Sequence, residues 1–286
     1  MAESLAHTFG QIIGNVIESA IEPDLRNFAS THDLYLDKKG ARRARGGKKV
    51  SWTDLYGNSH DLDFVLERGG TDETIGTPVA FIETAWRRYT KHSRNKAQEI
   101  QGAVQVLALT HKSSCPFIGA VLAGVFTGGA LQQLRSLGFN ILFFPYASIV
   151  RAFRSVGIDA DFDEDTSEKE FRKKIGRWNT LGKKDRRRAA ESLVCAHRQE
   201  IDDFLAALDK TVTRRIERII VIPLHGQEST CSSVAEAIAF LMTYEKSAAQ
   251  NGVYKYEIIV RYNNGDKIAA DFTQKSSAVE FLEKYR

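Results

Sequence analysis

The sequence predicts an α/β protein, with a mixed sheet flanked by helices and a small α+β module after it. Three observations carry this. Along residues 1–158 the apolar spacing switches repeatedly between the helical period and the strand period. Two almost wholly apolar runs, 116–126 and 140–145, read as strands buried on both faces. Near the C-terminus, Asn263-Asn264-Gly265-Asp266 separates two alternating stretches, which is a strong hairpin signal.

In chain order, residues 3–29 read as helix because Ile12, Ile13, Val16, Ile17, Ile21 and Leu25 recur near helical spacing. Pro23 is expected to break or kink it, giving two helices. A basic, Gly-containing loop at 37–49 follows. Strands are expected at 50–56, 61–67 and 79–86, joined as an antiparallel meander. Ser93 is expected to cap the next helix, whose apolar face carries Ile100, Val104, Leu107 and Ala108. Strand 116–126, helix 130–137 ending at Gly138, strand 140–145 and helix 147–156 ending at Gly157 complete the pattern. Alternating elements of this kind imply helices on both faces of the sheet.

From Asp159 the composition changes. An acidic stretch opens a charged helical connector at 159–213. The module at 214–286 then reads as strand 215–224, helix 232–245, the hairpin 254–262 with 267–272, and helix 276–285 with Ser276 or Ser277 as cap. A role in DNA recognition or dimerisation is expected for it.

Composition bounds the class. The chain is 43% hydrophobic, ample for a core, and has no apolar run long enough to span a membrane. Cys115, Cys195 and Cys231 lie far apart and form neither a metal-binding spacing nor a disulfide framework, so a cytoplasmic setting is expected. The net charge of +4 says little by itself. Its clustering says more: Lys38, Lys39, Arg42, Arg43, Arg45, Lys48 and Lys49 share one loop, and a second cluster lies within 172–188. Such clusters suit a polyanion, or are simply solvated loops.

The chemistry centres on residues 57–112. Asp63 opens one expected strand and Glu83 lies near the end of the next. One acid on each of two adjacent strands can aim two carboxylates at a single point, which is how a divalent cation is held beside a phosphate. Asp61, two residues from Asp63 and on the same strand face, is an alternative ligand. His60, His92, Trp86 and Tyr89 flank the region, and ordinary surface, core or lid roles suit them. Gly128-Gly129 lacks the remainder of a phosphate loop, and no Ser-His-Asp set or Cys-His pair stands out.

The helix, the meander carrying Asp63-Phe64-Val65-Leu66 and Ile82-Glu83-Thr84-Ala85, and the helix-strand-helix-strand that follows resemble the PD-(D/E)XK nuclease superfamily, type II restriction endonucleases above all. The resemblance covers roughly residues 5–158. It implies a restriction-endonuclease-like fold and a Mg²⁺-dependent endonuclease that hydrolyses double-stranded DNA. Asp63, Glu83 and the carbonyl of Thr84 would hold the metal, with Glu99 and a first-helix glutamate, Glu18 before Glu22, as further ligands. The family lysine, two residues after the glutamate, is here Ala85. Lys96 is expected to stand in for it, with Lys91 second, each orienting a water or gripping phosphate. Arg87, Arg88, Arg94, Lys38, Arg42 and Arg43 are expected to contact the DNA backbone. Cutting both strands implies two active sites, hence a homodimer. The alternatives are a nuclease-fold protein that binds DNA without cutting it, which Ala85 would suit, and a nuclease for modified or branched DNA.

Overall fold

The computed structural model describes residues 4–114, 116–224, 226–244 and 255–286. Cys115 and the expected element ends at Glu245 and Tyr254 lie outside them. The chain divides into two compact units, Met1–Asp209 and Lys210–Arg286.

The first unit opens with α1 (Leu5–Thr31), capped by the Ser4 hydroxyl accepting from the His7 amide. Pro23 lies inside this helix, which runs on without a break. An interior proline costs about 3 kcal/mol. Beyond it, Leu25 and Phe28 continue the buried stripe of Ile13, Ile17 and Ile21. Burial of each such side chain contributes roughly 1.5–3 kcal/mol, enough to carry the helix through.

The central sheet has five strands in the order β1-β4-β5-β6-β7. These are β1 (Leu34–Lys38), β4 (Phe64–Arg68), β5 (Thr77–Arg87), β6 (Phe117–Gly124) and β7 (Asn140–Pro145). The β1–β4 and β4–β5 pairs are antiparallel, and β5–β6 and β6–β7 are parallel. Two further strands, β2 (Val50–Thr53) and β3 (Ser59–Leu62), form a separate ribbon.

The expected meander is corrected accordingly. The stretch 61–67 is broken at Asp63, so that β3 pairs with β2 while β4 joins the sheet with β1 at its edge. The break turns the ribbon so that Val50 and Leu62 enter the apolar cluster beneath the next helix. Strand β1 escaped notice because it runs straight into the basic loop.

Helix α2 (Thr90–Thr110) packs on β5 and β6 and on α3 (Gly128–Ser136). Its N-cap is Tyr89, with no side-chain cap bond. Ser93 sits inside the first turn instead and donates to the Thr90 carbonyl. Helix α1 packs on β1 and β5, and α4 (Tyr146–Arg154) on β6 and β7.

The segment expected as a connector folds largely with this unit. Its helices are α5 (Glu168–Thr180), α6 (Lys183–Ala196) and α7 (Arg198–Val212). They bury Phe171, Trp178, Leu193, Phe204 and Leu208, and α5 and α6 cover α1. A charged surface concealed this apolar stripe.

The second unit contains β8 (Ile216–Pro223), β9 (Ser229–Cys231), α8 (Val234–Thr243), β10 (Tyr256–Tyr262), β11 (Lys267–Phe272) and α9 (Lys275–Glu283). Its antiparallel sheet has the order β11-β10-β8-β9. The hairpin forms where expected, with Gly265 at φ +93°. Helix α9 begins at Lys275 after Gln274, with no side-chain cap from Ser276 or Ser277. Among the described residues, no helix is long and apolar enough to cross a membrane.

Candidate active site

The register between β4 and β5 sets the geometry. Phe64 pairs with Ile82, so Asp63, one residue earlier at the break in the chain, stands level with Glu83. The two carboxyls lie near enough for the charge of Asp63 to raise the pKa of Glu83. Thr84 fixes Asp63 in place. Its amide donates to Oδ2 at 2.7 Å and its hydroxyl to the same oxygen at 2.8 Å.

Glu83 is only 8% exposed. Its pKa is pushed well above the ordinary value, first by burial and then by the negative charge of Asp63. Lys96 pulls it down and Glu99 pushes it up. A buried carboxyl beside a second acid resists ionisation, and a cation nearby relieves it.

Helices from the two faces of the sheet reach this point. On β5, Glu83 shares a strand face with Phe81 and Ala85, which lie in the core against α2. From α2, Lys96 extends into the same region and its Nζ pairs with Glu99 at 3.0 Å. From α1, Glu18 has its pKa raised by burial and then by Asp63, with Lys39 and Lys38 opposing. Among the described residues no group of three or more His, Cys, Asp or Glu side chains is gathered closely enough to hold a metal ion. The centre is a pair of neighbouring carboxyls, with Glu18, Glu99 and Lys96 within electrostatic reach.

The donor chemistry fits a hard divalent cation. Oxygen ligands suit such an ion, and a buried carboxyl such as Glu83, its pKa raised, gains from added positive charge. Asp63 and Glu83 would hold the ion, and the Thr84 carbonyl is the adjacent backbone acceptor.

The other expected residues divide. Asp61 is engaged by Lys49 at 2.5 Å and Ser51 at 2.6 Å on the ribbon, away from the acid pair. Glu22 pairs with Arg26 and Lys38, which leaves Glu18 as the α1 acid beside Asp63. Lys91 and Arg94 are exposed. Arg87 donates to the Trp86 carbonyl, and burial lowers its pKa. Arg88 donates to the Phe162 carbonyl at 2.6 Å and lies over the Tyr146 ring at 4.0 Å. Trp86 faces Tyr146 at 5.9 Å, and His60 bonds Asp54 at 2.8 Å.

Arg42 is corrected. Far from contacting a ligand, it is buried, holds Glu67 through two bonds of 2.6 and 2.9 Å, and pairs with Asp37 at 2.8 Å. It also donates to the carbonyls of Thr71 and Thr74. It pins the basic loop to the sheet. Arg43 remains exposed, paired with Asp72 and Glu73.

Sequence reasoning missed one constellation. Ser148 Oγ lies 2.8 Å from His197 Nε2, and His197 Nδ1 lies 3.2 Å from Glu200 Oε1. The connectivity is that of a hydrolytic triad, but Ser148 is buried and also accepts from Arg151 at 3.0 Å. It ties α4 to the start of α7. No sequence signal joins residues 49 positions apart.

No family model matches this chain, and no curated protein matches it. A solved protein of unknown function resembles it at 11% identity and a TM-score of 0.29, over 69% of this chain and 97% of that one. A likeness of that size carries no argument about fold or function.

Proposed function

We propose that this chain is a divalent-metal-dependent deoxyribonuclease with a core of the restriction-endonuclease type, acting on double-stranded DNA. The observation that carries the reading is the placement of Asp63 level with Glu83 on neighbouring strands, with Glu83 buried and Asp63 held by Thr84. The order of elements around it supports the same reading: an acid-bearing helix α1, an antiparallel pair β4–β5, then α2 and two parallel strands.

Mg²⁺ bound there would supply charge neutralisation at phosphorus and at the leaving oxygen. The protein's own part is orientation. Thr84 fixes Asp63 through two hydrogen bonds, so one ligand is positioned before an ion arrives. Lys96 supplies a cation beside Glu83 from the helix rather than from the strand. It stands where it can hold a water or a phosphate oxygen, the work that Ala85 cannot do. Exposed Lys91 and Arg94 flank that end of α2 and suit phosphate contacts. Cleavage of both strands calls for a homodimer.

A second reading is favoured by one observation. Ala85 is 5% exposed and packed in the apolar core with Ala97 and Ile100. On that reading the core binds DNA and does not cut it.

Plasmid incubation with Mg²⁺ or Mn²⁺ decides. The nuclease reading expects nicking or linearisation, abolished by Asp63→Asn and by Glu83→Gln with DNA binding retained. Binding without any nick at high protein supports the second reading. Methylated and unmethylated plasmids digested side by side identify a requirement for modified DNA. A chain that neither binds nor cuts sinks both readings.

A further inference from the structure

The sheet of the second unit has two unlike faces. Ile219 and Val221 of β8 and Ile258 and Val260 of β10 are buried on the face that α8 and α9 cover. The alternate residues point to the opposite face, which no described element of this unit covers. There the register sorts them into three rows across the strands. Lys267, Arg261 and Arg218 make a cationic row. Ala269, Ile259, Ile220 and Thr230 make a middle row, apolar at its centre. Asp271, Glu257 and Ile222 make a third row, bearing two carboxylates.

As an isolated surface this arrangement is unfavourable. Like charges directly opposite on paired strands repel, and Arg261 faces both Arg218 and Lys267. The Nε of Arg261 is buried and has no hydrogen-bond partner among the described residues. Ile220, Ile222 and Ile259 are each only half-buried. An anionic, partly apolar surface would satisfy all three features, and the third row supplies one.

We propose that this face docks on the same face of a second copy of the chain. A two-fold axis along the middle row turns the cationic row of one copy onto the acidic row of the other. Arg261 then meets Glu257 of the second copy, and Lys267 meets Asp271, which in the single chain pairs with Lys255 at 3.2 Å. Ile259 and Ile220 stack on their own counterparts. The pattern is self-complementary, as an isologous interface must be. The need for a dimer rests on the nuclease reading, but the surface is independent of it.

Sedimentation velocity on the full chain, without DNA or metal, separates the two questions. The wild type is expected to be a dimer. Arg261→Glu and Glu257→Arg, placed singly, each put like charges face to face and should weaken association at least about tenfold. Mixing the two single variants restores both pairs in the heterodimer, and the double variant restores them in a homodimer. Thermal melts of the single variants, matched to wild type, exclude unfolding as the cause of any loss. A monomeric wild type overturns the proposal. So does a dimer that either single variant leaves intact, or a mixture that stays monomeric.

Discussion

Thr84 gives both its amide and its hydroxyl to one oxygen of Asp63, at 2.7 and 2.8 Å. The residue after one carboxylate thus clamps the other. This ties Asp63 to β5, so it cannot rotate away without losing both bonds. The clamp is local in space but spans 21 residues in sequence.

Thr84→Val removes the hydroxyl donor and keeps the amide. Losing an outer partner of a metal-binding carboxylate typically costs about 10–100-fold in metal affinity. Calorimetric titration with Mn²⁺ should show a drop of that order, with the fold retained. An unchanged affinity would mean that Asp63 is not a ligand.

Lys96→Ala and Lys91→Ala separate the two candidate cations. Lys96 is partly buried and acts on Glu83, whereas Lys91 is exposed. Loss of a positioned acid-base group costs about 10²–10⁴ in rate, and loss of a phosphate contact far less. Cleavage by the Lys96 variant should fall by that larger factor, and by the Lys91 variant by only a few-fold. The reverse order would reassign the role.

The acid pair makes the metal-free protein sensitive to pH. Glu83 and Glu18 both have pKa values raised above the ordinary 4.5, chiefly by burial. Both hold a proton more tightly when folded. Their contribution to stability is present below 4.5 and is lost as pH climbs through the raised values. Glu83→Gln should therefore gain stability over wild type as pH rises from about 5 to 8 in EDTA. Adding Mg²⁺ should stabilise the wild type more at the upper end, because binding displaces a proton. Denaturant titrations along that range check both. A flat difference between wild type and variant would refute the raised pKa of Glu83.

Arg42→Ala leaves Glu67 buried without its cation and Asp37 with Arg45 alone. Breaking such a pair from one side costs about 3–5 kcal/mol. Urea unfolding should report a loss of that size. Arg43→Ala, at an exposed position, should change stability by less than about 1 kcal/mol. Equal effects would mean that the Arg42 network is not as drawn.

Much of the fold was legible where a local signal was undiluted. The apolar runs of β6 and β7 and the Asn-Gly hairpin needed no distant partner to be read. Pro23 misled because its cost is local while the burial that outweighs it lies along the whole of α1. Ser93 misled for the opposite reason: a capping residue was present, but the helix began a turn earlier. Asp63 and Glu83 were identifiable as a pair from their strands. Glu18 could be named only by resemblance, since its closeness to Asp63 depends on how α1 crosses the sheet. Arg42 was misassigned because its partner Glu67 lies 25 residues away. A basic residue in a Gly-rich loop looks the same in sequence whether it faces water or a buried carboxylate.

The loop that Arg42 anchors has a consequence for affinity. Arg45 also reaches back from it, to Asp37 at 2.8 Å and to the carbonyls of Lys38 and Gly40. Ordering a backbone residue costs about 1–2 kcal/mol. Here that ordering is complete when the chain folds. On the nuclease reading, an anionic partner meeting exposed Lys48 would find a handle already ordered, and its grip would not be weakened by having to freeze one.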